Sequence, residues 1–349
     1  MPAGATAVQH ARFTEPAELL DAMPGVVMQV TPLPHAGFYV DLTTIRLGDV
    51  VLVHGSCSPL AMVAVPGAAT VALQFPLDGA DTMVLNGQLL PPFGFCLYGP
   101  GTQLVRSNTQ SNSSSVLVMP PEVADAHLGG EEGCPVVRPG EYVLRSAQPE
   151  SWHRMARLIR SASGIAADAP DVFATEPPRR ALRASLLGVA QDLIQQAEEV
   201  LAPRSRRTSD DWRRIVLGAE AYLKAHIDRP IYTEELCRTL GISAGRLADA
   251  FQGMLGISPH RYLKLRRLNL VRAALRQPDG GPHLVKSIAL AHGFWHLGQF
   301  SHDYRECFGE SPSETLAAAQ AGSPVGAAEV APAPREAAMR AAQGAAGTR

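Results

Sequence analysis

Six positions in the second half of the chain recur at one fixed offset. Leu247, Phe251, Leu255, Gly256, Ser258 and Pro259 return as Phe300, Tyr304, Phe308, Gly309, Ser311 and Pro312, and 53 residues separate the members of every pair. Recurrence at a fixed period marks two copies of one structural unit in tandem. Within a copy, apolar residues at steps of four share one helix face. The glycine that follows stops the helix. Ser-Pro then opens the next one, with Ser at the cap and Pro at the first helical position. Any fold for this chain has to hold two such units side by side.

Each copy has a shorter helix in front. In the first, Thr233 is the expected N-cap, with Glu234 and Glu235 in the first turn, where the helix dipole favours acids. Leu236 and Leu240 face inward and Gly241 ends that helix. Ser243 caps the next, whose apolar side is Leu247, Ala250, Phe251 and Met254. A helix opening at Asp210 or Asp211 and carrying Ile215, Val216, Ala219, Tyr222 and Leu223 precedes the unit. In the second copy, Lys286–His292 is the short helix, with Ile288, Ala289 and Ala291 expected to pack, and Gly293 makes the turn. Helix, turn and helix in this order suit a reader of double-stranded DNA whose second helix enters the major groove.

The outward side of each second helix supplies the candidate contacts. In the first copy these are Ser243, Gly245, Arg246 and Asp249. Arg246 is the one long donor there that can pair with guanine. Asp249 either accepts from a cytosine amino group or repels phosphate, so base reading by this copy is expected to be weak. The second copy offers His296, Gly298, Gln299, Ser301, His302 and Arg305. Gln299 suits a bidentate pair with adenine, His302 stands one turn further on, and Gly298 permits close backbone approach. Trp295 and Leu297 are expected to pack. The joining helix opens at Ser258-Pro259, and residues 260–276 hold six Lys/Arg and no acid. Some 18 helical residues span roughly 27 Å, a spacer suited to grooves that repeat at about 34 Å. Arg261 and Lys264 are the expected phosphate contacts. Arg266 and Arg267 have two readings, DNA contact or ties to buried acids and carbonyls.

Residues 212–318 resemble the DNA-binding domain of AraC/XylS-type bacterial transcription regulators. The marks are Gly-Ile-Ser at 241–243, Phe251, Gly-Ile-Ser-Pro at 256–259, Leu265-Arg266-Arg267-Leu268, and the run from Gly293 to Pro312. The wording Gly293-Phe294-Trp295-His296 and Phe308-Gly309-Glu310-Ser311-Pro312-Ser313-Glu314-Thr315-Leu316 is similar to a subset that includes regulators of ethanolamine utilisation. The resemblance covers about a third of the chain and implies a regulator, more commonly an activator. It also implies a homodimer, contact with RNA polymerase, and a cupin-like β-barrel ahead of the helices that senses a small molecule.

At 349 residues the chain is long enough for two domains. Its net charge is −2, so positive potential for nucleic acid has to be local. From Val26 to Pro120, short apolar runs such as Val50–Val53, Met62–Val65 and Ser115–Val118 are bounded by turn residues, including Gly48-Asp49, Gly55-Ser56 and Asn86-Gly87. Many short strands at this spacing predict a small barrel or sandwich. Residues 1–24 read as a loose arm or a first helix. A helix opens at Ser151 as N-cap, with Trp152, Met155, Ala156, Leu158 and Ile159 at helical spacing. Ala166 to Pro178 breaks it. Residues 179–201 form a second helix whose stripe (Leu182, Leu186, Val189, Leu193, Ala197, Val200) hides against the barrel or against a second copy. Pro203 to Ser209 reads as a flexible linker and 322–349 as a disordered tail.

The expected architecture is therefore multidomain α+β. Residues 1–150 form a β-rich sensor and dimerisation domain, 151–210 a helical linker, 211–320 a tandem helix-turn-helix domain, and 321–349 the tail. Five scattered cysteines (Cys57, Cys96, Cys134, Cys237, Cys307) without C-x-x-C suit a reducing cytoplasm and argue against a zinc site. No signal peptide or membrane span is expected. His35, His54 and His127 lack the spacing of a metal-binding cupin, so neither an enzyme nor a cofactor is expected. Two functions remain: a regulator whose barrel senses an effector, and a constitutive DNA binder whose barrel is structural. Nothing in the residue pattern singles out a pocket.

Overall fold

The computed structural model describes residues 6–22, 26–34, 37–65, 67, 69–129, 135–200, 206–226, 229–276 and 285–321. His35, Cys134, the segment 201–205 with the side chains of Arg206 and Arg207, and the tail 322–349 lie outside the described residues.

The N-terminal half is built from two antiparallel sheets. The larger has the order β1 (Val8–Phe13), β3 (Val40–Leu47), β4 (Val50–Cys57), β11 (Asn112–Met119), β6 (Val71–Asp78), β9 (Gly94–Tyr98), β12 (Tyr142–Ser146) and β13 (Glu198–Glu199). The smaller has the order β2 (Val27–Pro32), β5 (Leu60–Val65), β10 (Leu104–Asn108), β7 (Met83–Leu85) and β8 (Gln88–Leu89). The expected β-rich domain is present, and two details of the sequence reading change. The first residues contain a strand, β1, paired along its length with β3, before the short helix α1 (Pro16–Ala22). Gly55-Ser56 is not a turn but lies inside β4. A Cβ on Gly55 would sit 2.6 Å from the Asp41 carbonyl oxygen, so glycine there permits close approach of β3.

Strand periodicity sorts the larger sheet into two faces. Leu73, Phe75, Leu97, Leu117 and Met119 point to helices α2 (Pro121–Leu128), α3 (Pro149–Asp168) and α4 (Glu176–Gln195). Their neighbours Ala72, Gln74, Tyr98, Val116 and Val118 point inward, toward the smaller sheet. Helix α3 starts two residues before Ser151; the cap position is Gln148, and the buried Ser151 hydroxyl donates instead to Gln196 Oε1 at 2.8 Å. Leu186, Leu187, Ala190, Leu193 and Ile194 of α4 are buried in the same core. The α4 stripe is thus packed within the chain, not on a second copy. Residues 151–195, expected within a linker, cover the sheet.

The C-terminal half is all helix: α5 (Arg206–Ala225), α6 (Thr233–Leu240), α7 (Ala244–Leu255), α8 (Pro259–Arg276), α9 (Val285–Ala291), α10 (Leu297–Phe308) and α11 (Pro312–Gln320). The repeat predicted both units. Gly241, Gly256, Gly293 and Gly309 all take left-handed backbone at the helix ends. Ser243 Oγ accepts from the Arg246 amide, Ser258 Oγ from the Arg261 amide, and Ser311 forms a reciprocal capping box with Glu314. Three local expectations shift: α5 begins at Arg206 rather than at Asp210, Tyr232 rather than Thr233 occupies the α6 cap position, and Ala291 is exposed. Phe251, Phe300, Tyr304 and Phe308 fill one core with Val216, Leu236, Leu247 and Leu268.

Candidate nucleic-acid interface and sensor cavity

The exposed faces of α7 and α10 carry the candidate contacts. Ser243, Gly245, Arg246 and Asp249 are exposed on the first unit. His296, Gly298, Gln299, Ser301, His302 and Arg305 are exposed on the second. The second set lies on one side of α10, opposite the buried Phe300, Tyr304 and Phe308. Trp295, expected to pack, is 72% exposed at the entry to α10 and joins this surface, whereas Leu297 packs as expected.

Internal partners separate the two sets. Arg246 Nη2 lies 2.7 Å from Asp211 Oδ2 of α5, so the one long donor of α7 is bound within the domain. Gln299 Nε2 donates to Asp303 Oδ1 at 3.0 Å, and the same oxygen lies 3.1 Å from Lys264 Nζ. Asp303 is buried and bridges the joining helix to the amide, which holds that amide in a fixed orientation. One N–H and the amide oxygen remain for a base edge. Among the side chains of His296, His302 and Ser301, no hydrogen bond binds the functional atoms to the described residues.

The joining helix α8 departs from the expected basic spacer. Of its six cations only Arg261 is exposed. Lys264 is held by Asp303, and buried Arg266 pairs with buried Glu220 of α5. Arg267 stacks on Tyr232 and Phe294. Arg272 lies 3.4 Å from Glu15 and 3.3 Å from Glu310, and Arg276 also pairs with Glu15. The alternative weighed for Arg266 and Arg267, ties inside the protein, describes both. Burying a guanidinium without an acid is costly, and the acids beside Arg266 and Arg272 offset part of that cost.

Glu220 and Glu15 also connect the two halves. Tyr262 donates to Glu220 Oε1 at 2.6 Å and accepts from Thr31 Oγ1 of β2 at 3.2 Å. Burial pushes the Tyr262 hydroxyl well up, which keeps it a neutral donor. Leu33, Ala61, Val63 and Val105 of the smaller sheet join the helical core. The hairpin turn Asn86-Gly87, both with positive φ, meets α7: a Cβ on Gly87 would lie 2.8 Å from Met254 Sδ.

The opposite face of that same sheet lines a cavity of about 460 Å³ between the two sheets. Met28, Val30, Leu60, Met62 and Leu104 alternate along the strands with the interface residues Thr31, Ala61, Val63 and Val105. A wall one sheet thick therefore separates the cavity from the helical domain. Sequence reading missed this wall because β5 (Leu60–Val65) is apolar at every position, so its two faces do not differ in the pattern. Of the sequence-derived histidines, His54 donates to or accepts from Ser115 Oγ at 2.9 Å, and burial lowers its pKa. Among the described residues no group of three or more His, Cys, Asp or Glu is placed to hold a metal ion, and no helix is long and apolar enough to cross a membrane.

Residues 236–318 match the family model described as a helix-turn-helix domain. The chain is 31% identical over 191 residues to the "Probable thc operon regulatory protein" of Rhodococcus erythropolis, a match covering 55% of this chain and 56% of that protein. It is 36% identical over 95 residues to the XylDLEGF operon transcriptional activator of Pseudomonas putida, covering 27% of this chain and 30% of that one. A solved chain from Rhodopseudomonas palustris CGA009, described as a probable AraC family transcriptional regulator, is 40% identical with a TM-score of 0.29, covering 30% of this chain and 97% of that chain. The chain spans about half of the first relative's length and under a third of the second's. The tandem unit matches a helix-turn-helix domain at 236–318, and over part of its length the chain is similar to transcription regulators.

Proposed function

We propose that the chain is a sequence-specific transcription regulator, acting as an activator in the cytoplasm, whose N-terminal cavity senses a small molecule. The observation that carries this reading is the shared wall. The strands that line the cavity present their alternate residues to α7 and α8, so a ligand that reshapes the cavity face also strains the interface. A ligand shifts such an equilibrium only by its difference in affinity for the two arrangements.

In this reading α10 reads bases through Gln299, His302 and Arg305, with His296, Gly298 and Ser301 completing its face. The first unit fixes position through Ser243, Gly245, Arg246 and Asp249, and Arg261 supplies a phosphate contact. Lys264 acts by holding Asp303 rather than by touching DNA. Homodimerisation and contact with RNA polymerase belong to the same proposal. Selection of genomic fragments by the purified chain, sequenced and repeated over a salt series, tests it. A shared site with two short elements about one helical turn apart supports the tandem reader. Binding that depends on salt alone, without enrichment, would contradict it. A site whose occupancy no metabolite alters would return the barrel to a structural role.

A further inference from the structure

The cavity wall carries an unusual electrostatic feature. Among the described residues, Arg106, on β10, is the only charged residue lining it. Elsewhere this protein gives its buried guanidiniums carboxylates: Glu220 for Arg266, and Glu15 with Glu310 for Arg272. Arg106 has none. Its two hydrogen bonds both leave from Nη2, to Asn112 Oδ1 at 2.9 Å and to Cys57 Sγ at 3.4 Å, and both acceptors are neutral. Its Nε is buried without a partner among the described residues. A partly buried cation that lines an apolar cavity and meets only neutral acceptors is a site for an anion.

The rest of the wall limits what that anion can be. Met28, Val30, Leu60, Met62, Val116 and Val118 make it mostly apolar. Its polar groups are few and neutral, and two of them satisfy each other: Tyr98 donates to Gln74 Oε1 at 3.0 Å. Burial pushes the Tyr98 hydroxyl up, so the wall holds no phenolate. A sugar would leave most of its hydroxyls without partners. A phosphate dianion would bring more charge than one guanidinium balances. An amino acid would bury its ammonium group without an acid. We infer that the cavity takes an amphipathic monocarboxylate, its carboxylate on the Arg106 guanidinium and its apolar body along β2, β5 and β11. This rests on the sensor reading above and names the ligand class for that site.

The test uses the full chain in isothermal titration with three probes of equal length: octanoate, octan-1-ol and octylammonium. Octanoate is expected to bind at least ~10-fold more tightly than octanol, and octylammonium not to bind. Arg106→Gln should weaken octanoate by ~10–100-fold, the loss of a charge-assisted pair, and leave octanol unchanged. Arg106→Lys keeps the charge and should keep the preference for the acid; it serves as the reference if the Gln variant does not fold. Val116→Trp, which fills the cavity, should abolish binding of octanoate. Equal binding of octanoate and octanol, no binding of octanoate, or octanoate binding that survives Arg106→Gln or Val116→Trp would each overturn the assignment. The sensor reading fails separately: octanoate would then bind through Arg106 without changing occupancy of the selected DNA site.

Discussion

The two helix-turn-helix units share a scaffold and differ in what they leave free. Phe251 in the first and Tyr304 in the second occupy the same place in the repeat, and both are fully buried. Gly256 and Gly309 end their helices with the same left-handed turn. Yet α7 offers glycine and aspartate, with its one arginine bound to Asp211, while α10 offers His302, Gln299 held by Asp303 and Arg305 beside Glu314, with exposed Trp295 just ahead of it. The packing positions of a duplicated unit are held by a common core, whereas each reading surface answers only to its own stretch of DNA. The first unit also bears on the sensor wall through Met254 and Gly87. In the proposed reading, the first unit reports the state of the barrel and the second recognises sequence.

The largest expected effect concerns the frame that holds both units. Glu220→Ala leaves Arg266 buried and unpaired, and should cost about 3–5 kcal/mol in denaturant unfolding. A loss below ~1 kcal/mol would mean that the joining helix is not fixed through this pair. Next come the readers. Gln299→Ala or His302→Ala should each relax preference at one base position by about 1–3 kcal/mol, measured as the affinity ratio between the selected site and its single-base variants. Arg261→Ala should weaken all sequences alike and reduce the salt slope by ~0.9. Arg246→Ala should alter base preference by less than ~1 kcal/mol, because Asp211 already holds its guanidinium within the domain. A larger change would return base reading to the first unit.

The smallest effect is a pH dependence confined to the first unit. Arg229 and the Tyr222 hydroxyl hold the Glu235 carboxyl at about 2, below its ordinary 4.5. A lowered acid stabilises the fold above its unfolded value and loses that contribution as pH falls. Glu235→Gln should therefore remove a small slope in stability between about pH 4.5 and pH 2, small because solvent screens this pair. An unchanged acid limb would show that the pair does not form in solution.

Legibility in the sequence follows the range of the forces. Caps, stop glycines and apolar steps of four are local, so the helical units could be read from residues near one another. The strands of the barrel were readable by their runs, but their faces were not. Val71 to Leu77 is buried on both sides, so its pattern shows no alternation. Gly55 looks like a turn in isolation and is a close approach only when β3 lies beside it. The surface donors of α7 and α8 were visible, yet their partners Asp211, Glu220, Glu15 and Asp303 lie far along the chain. The pairing of Arg246 with Asp211 and the neutral partners of Arg106 are tertiary facts. Arg106 sits beside Ser107 and Asn108 in β10, a mixed sequence that gives no sign of a cavity wall.

The most direct test of an unequal tandem reader is a comparison of selected binding sites for the unmodified chain, Gln299→Ala and Arg246→Ala under one salt condition. Loss of information at a single position in one element with Gln299→Ala, and an unchanged site with Arg246→Ala, is the expected result. An unchanged site with Gln299→Ala, or loss of the other element with Arg246→Ala, would contradict the division of labour between the two units.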